Sequence, residues 1–93
     1  MHAVVTQVSI SDYQKAREFL HSNLIPMVKS APGFVSGCWL APQQGNSGDG
    51  MSVEIFESED AARNFVKQFE GQEPPTDLVT IKSVEVREVA GNA

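Results

Sequence analysis

Ninety-three residues, 41% of them apolar, give one globular domain whose own core is modest. Cys38 is the only cysteine, which excludes an internal disulfide, and two histidines far apart in sequence, His2 and His21, offer no Cys/His zinc site, so a second subunit is the expected support for the fold. The net charge of −5 lies in residues 51–93, because residues 1–50 carry three acids against three bases; with no basic stripe, neither nucleic acid nor an anionic membrane is an expected partner.

His2–Ile10 is rich in β-branched residues and alternates, with Val4, Thr6, Val8 and Ile10 on one face and Ala3, Val5, Gln7 and Ser9 on the other, which predicts a strand. This start has no basic segment of a signal peptide and no apolar run approaches the roughly 20 residues of a membrane span, so a cytoplasmic protein is expected. Ser11-Asp12-Tyr13-Gln14 has the form of a capping box with Ser11 as the N-cap. Tyr13, Ala16, Leu20, Leu24 and Met27 then recur at helical spacing, predicting one amphipathic helix over 12–30. Pro26 lies inside it, lacks an N–H and opposes the carbonyl four residues back, so a kink or break is expected near Ser22–Ile25. Pro32-Gly33 ends the helix.

Phe34–Ala41 and Met51–Glu57 read as a second and third strand, joined across the polar, glycine-containing stretch Pro42–Gly50 as a hairpin. That stretch lacks the Lys-Ser/Thr ending of a phosphate loop and leads into no helix, so it reads as a mobile connection. Ser58 is placed to cap a second helix whose first turn holds Glu59 and Asp60, with Ala62, Phe65, Val66 and Phe69 as its apolar stripe and Gly71 as its end. Pro74-Pro75 makes an extended link to a last strand, Leu78–Val89. The apolar phase of that strand switches between Ile81 and Val84, which predicts a bulge.

The order β-α-β-β-α-β predicts a single α+β domain over residues 1–93. Its ferredoxin-like architecture has four antiparallel strands in the order 4-1-3-2 with both helices on one face. Apolar residues fall on both sides of the strands: Val53 and Ile55 opposite Phe56, and Trp39 opposite Phe34 and Leu40. The face without helices needs a cover, and a second copy of the chain supplies one.

The helix ending Leu24-Ile25-Pro26-Met27-Val28-Lys29, the turn Ala31-Pro32-Gly33-Phe34 and the run Val53-Glu54-Ile55-Phe56-Glu57-Ser58-Glu59-Asp60-Ala61-Ala62 resemble the dimeric α/β-barrel superfamily, in particular its antibiotic-biosynthesis-monooxygenase type, over roughly residues 2–89. The resemblance implies two sheets paired face to face in a homodimer. It also implies an activity drawn from cofactor-free oxygenases, haem-degrading enzymes and lactone isomerases, among which the fold does not choose. The chain departs from the haem-degrading pattern of an Asn on strand 1 and a His on the second helix. It has Gln7 in strand 1, no histidine in the second helix, and its Trp39 on strand 2, so no haem or other cofactor is expected. Strand 3 likewise lacks the Asn or aromatic hydroxyl of the quinone-forming oxygenases.

Glu54, mid-strand between Val53 and Ile55, is a candidate general base if it faces a dry cavity; the alternative is an edge glutamate or one paired with Lys82 or Arg87 across a dimer. His21, at the border of the helical stripe, is a candidate acid or base, or a plain surface residue. Gln7 and Trp39 are candidate substrate-binding residues, Gln7 as an amide expected to share a side of the sheet with Glu54 and Trp39 as a stacking surface; a neighbour-satisfied amide and a core indole are the alternatives. Cys38, on the face opposite Trp39, is expected to be a buried, inert thiol. A site for a small apolar or aromatic molecule is expected between the sheet and the helices, beneath the break at Pro26. The function classes left open are a cofactor-independent monooxygenase or isomerase, a non-catalytic binder, and a structural or accessory dimer.

Overall fold

The computed structural model describes residues 1–43, 45–70 and 78–93. Strand β1 (His2–Ile10) leads into α1 (Tyr13–Phe19), a π-helical turn (Leu20–Leu24) and α2 (Ile25–Lys29); β2 (Phe34–Leu40), β3 (Gly48–Phe56), α3 (Glu59–Glu70) and β4 (Val79–Glu88) follow. The sheet is four-stranded and antiparallel in the order β2-β3-β1-β4, the ferredoxin-like arrangement that the element order predicts. The Phe69 side chain, Gly71 and Pro74-Pro75 lie outside the described residues.

The break at Pro26 takes a definite form. The Ile25 N–H donates to the Leu20 carbonyl five residues back, so the helix widens by one residue just before the proline, which then sits in the first turn of α2 where a missing N–H is best tolerated. The extra residue turns the apolar stripe, and Val28, not Met27, becomes the fully buried residue; Met27 is 39% exposed.

The core gathers at one end of the sheet. Phe56 is fully buried among Val4, Val28, Ala62 and Phe65, with Phe34 edge-on at 5.9 Å between ring centres and Phe65 tilted at 5.1 Å. Phe34 and Trp39 face the helices together, contrary to the alternation expected for strand 2. The register between β2 and β3 slips by one residue between Phe34 and Ser36, and the bulged Val35 restores Phe34 to the core side. A second slip, opposite Gln7 and Val8, makes Lys82 the extra residue of β4 and accounts for the phase switch between Ile81 and Val84.

Three local expectations are corrected. The cap of α1 is Asp12, whose carboxylate accepts from the Lys15 N–H at 3.3 Å, while the Ser11 hydroxyl donates to the Leu78 carbonyl. The third strand starts at Gly48 rather than Met51, because Val8–Ile10 continue to pair with Gly48–Gly50. Gly50 suits this pairing: a Cβ there would meet Ile10 at 2.7 Å. The hairpin connection is not a loose link either. The Asn46 carbonyl accepts from the Tyr13 N–H at 2.7 Å, its side-chain oxygen accepts from the Gln14 N–H at 3.0 Å, and its amide donates to Asp12 at 2.9 Å. That last bond, with the Lys15 N–H, holds the Asp12 carboxyl below its ordinary value. Ser58 caps α3 as expected, accepting from the Ala61 N–H at 3.1 Å.

The turn into β2 needs a glycine for two reasons. Gly33 has φ +80°, and a Cβ there would lie 2.7 Å from the Ala61 Cβ. Gly45 has φ +71° but opens onto free space. Gly33→Ala is therefore expected to cost about 3 kcal/mol and Gly45→Ala about 1 kcal/mol in urea unfolding; equal losses would mean that contact with α3 contributes nothing.

Candidate functional site

Two helices cover the sheet unequally. Val28 of α2 and Ala62 and Phe65 of α3 are buried, whereas α1 and the π-helical turn bury no residue fully. Beneath that first stretch of helix lies a cavity of about 330 Å³. Its floor is the helix-facing side of the sheet, from Val4 to Ile10 on β1 and Ser52 and Glu54 on β3, with Trp39 at the β2 side and Val79, Ile81 and Val84 at the β4 side. Its roof includes Tyr13, Phe19 and Leu20, and Arg17 and His21 also line it.

The register decides which strand residues look into this space. In β1 and β3, Val4 pairs with Glu54 and Thr6 with Ser52, so these four share the helix-facing side; Gln7 pairs with Met51 on the other side. Gln7 is exposed and does not line the cavity, which corrects the expectation that it shares a surface with Glu54. Trp39 pairs with Ser52 and faces inward. Its indole lies over Gly37, the partner of Glu54, where a Cβ would approach the ring at 3.2 Å. The structure thus brings Glu54, Trp39 and His21 to one cavity and leaves Gln7 outside it. Cys38 pairs with Val53 on the outward face and is exposed in the single chain rather than buried.

Among the described residues Glu54 is the one acid lining the cavity, and it is 4% exposed. Glu54 is not at a sheet edge, since β3 lies between β2 and β1, and it faces the chain's own helices across the cavity. Its Oε2 is buried with no hydrogen-bond partner. Burial among apolar side chains raises its carboxyl to about 7, against a smaller opposing effect of the nearby Ser52 hydroxyl. Thr6 and Ser52, both buried, set hydroxyls along the same side of the sheet; sequence reasoning missed this pair because each is an ordinary strand residue until the register is known. Among the described residues, no three His, Cys, Asp or Glu side chains are grouped to hold a metal ion, and no helix is long and apolar enough to cross a membrane.

The geometry defines a ferredoxin-like domain with a sheet-to-helix cavity built around one buried carboxylate. No family model and no curated protein matches the chain. Among solved structures it is similar to the haem-degrader MhuD from Mycobacterium tuberculosis, a structure with two haems bound in its active site. The two share 21% identity with a TM-score of 0.57, over 97% of this chain and 98% of that one. At that identity the likeness is one of fold.

A carboxyl whose native value is above its unfolded one binds protons more tightly when folded. Its burden on stability is absent below the unfolded value near 4.5, grows as pH rises, and is complete above about 7. Wild-type unfolding free energy is expected to fall by roughly 3 kcal/mol between pH 4.5 and 8 relative to Glu54→Gln, read by urea titration at each pH. Parallel profiles for the two proteins would show that Glu54 ionises without cost.

Proposed function

We propose that the cavity binds a small apolar or aromatic molecule and that Glu54 acts on it as a general base, in a cofactor-independent monooxygenase or isomerase. The observation carrying this reading is a carboxylate with an unpartnered oxygen, raised to about 7, in a largely apolar cavity. At 330 Å³ the space is at the small end of ligand sites, enough for one or two rings. Trp39 offers a stacking surface, and the Thr6 and Ser52 hydroxyls offer donors to an oxygen that becomes negative when Glu54 removes a proton. An isomerase returns that proton to another carbon. A monooxygenase lets the carbanion react with dioxygen, turning a CH₂ into a carbonyl with release of water. His21 is placed to exchange protons at the edge of the same space.

The reading includes a homodimer of the superfamily's face-to-face kind. The outward side of the sheet presents Val5, Val53 and Ile55, with Val35 and Leu40 exposed, a surface that a second copy would cover together with Cys38. Haem does not fit these residues: α3 has no histidine, and the small cavity sets a buried carboxylate in its floor.

Calorimetric titration with phenols and quinones, with oxygen uptake followed on wild type and Glu54→Gln, tests the site. Turnover abolished by Glu54→Gln with binding retained is the expected result; binding without turnover in wild type identifies a non-catalytic binder, and no binding leaves a structural dimer. Haem titration is expected to give no Soret band saturating at one haem per chain. Light scattering is expected to give twice the mass of one chain at micromolar concentration, and Val53→Asp to give monomers of reduced stability; a monomeric wild type rejects the dimer.

A further inference from the structure

The cavity has two chemically different ends. Its floor holds Glu54, the only acid lining it among the described residues, with Oε2 buried and unpartnered. On the opposite wall stand Arg17 and His21, its only cationic or titratable nitrogen groups among the described residues. They are four residues apart where α1 runs into the π-helical turn, so they project on neighbouring turns of one face. Both are exposed at the solvent edge, and neither side chain makes an ion pair or a hydrogen bond with a described residue. The other described arginines, Arg63 and Arg87, are paired with Glu59 and Glu85. Between the two ends the lining is largely apolar and aromatic, with Phe19, Trp39 and Phe65 contributing rings beside the Thr6 and Ser52 hydroxyls.

Resting on the reading of this cavity as a ligand site, we infer that its ligand is a hydroxyaryl carboxylate of one or two rings: the carboxylate lies on Arg17 and His21 at the mouth, and the hydroxyl donates to Glu54 Oε2 at the floor. An arginine fork is the side chain best shaped for a carboxylate. A buried carboxylate with an open acceptor site rewards a hydroxyl and repels a second anion, which fixes the direction in which the ligand enters. The chain's net charge of −5 makes a plain anion a poor partner overall, so the positive mouth selects where the rest of the surface repels.

The test compares 6-hydroxy-2-naphthoate, 2-naphthol and 2-naphthoate by isothermal titration calorimetry on wild type, Arg17→Gln and Glu54→Gln, with thermal melts to confirm folding. Arg17 is exposed, so its variant is expected to fold normally. The hydroxy acid is expected to bind wild type at least roughly tenfold more tightly than 2-naphthol, as a charge-assisted contact gives. Arg17→Gln removes that advantage and leaves the affinity for 2-naphthol unchanged. Glu54→Gln reduces the preference for the hydroxy acid over 2-naphthoate. Should 2-naphthol bind wild type as tightly as the hydroxy acid, the two-ended site is wrong while the apolar ligand site stands. Should Arg17→Gln weaken all three compounds alike, Arg17 is part of the wall and not an anchor, which also overturns the inference. Should none of the three bind wild type, the ligand-site reading fails and this inference with it.

Discussion

A four-stranded sheet with helices on one side has more floor than two helices can cover when one of them is interrupted. Phe56 fixes where the cover is good. It is fully buried beneath α2 and α3, between Phe34 and Phe65, and Val4 and Val28 close the packing around it. Toward the other end of β1 and β3 the same row of inward positions continues through Glu54, Ser52 and Thr6, but the helix above stands off. Core and cavity are thus two halves of one layer, divided where the first helix changes from π-helical to α-helical.

Placing a carboxylate in that layer works against stability. An apolar residue at position 54, of a shape to pack with Val4 and Trp39, would avoid the desolvation that lifts the Glu54 carboxyl. Ser52 relieves only part of it, and Oε2 is left with no partner. Local departures of this kind, where one position contradicts an otherwise consistent core, concentrate where a protein meets its ligand. The Asn46 bonds to the first turn of α1 have the complementary effect, holding the roof in place at the end where packing against the floor is thinnest.

Much of this architecture can be read from residue patterns alone. β-branched alternation marks β1, Ser58 with its following acids marks the start of α3, Pro26 marks the helix interruption, and the phase change between Ile81 and Val84 marks the bulge in β4. What cannot be read is parity between strands. The alternation of β1 assigns Gln7 to one side and that of β3 assigns Glu54 to one side. Only the pairing of Val4 with Glu54 shows that the sides differ. The bulge at Val35 has no comparable signal, since Phe34 fits either side until its contact with Phe56 is known. The Asp12 cap is invisible for another reason: Ser11 and Asp12 are both good caps, and the choice depends on Asn46, 34 residues away.

The π-helical turn is, in effect, a helix with one residue too many. Each residue of an α-helix advances the chain by about 100°. Were the same residues of Leu20–Leu24 wound as a regular α-helix, with no widened turn, everything N-terminal to them, Arg17 included, would swing by about that angle relative to the sheet. The character of the cavity's mouth therefore hangs on how this one turn is wound as much as on the identity of its residues. Tightening this one turn without removing a residue would empty or refill that mouth while leaving every strand, and the Phe56 core, in place.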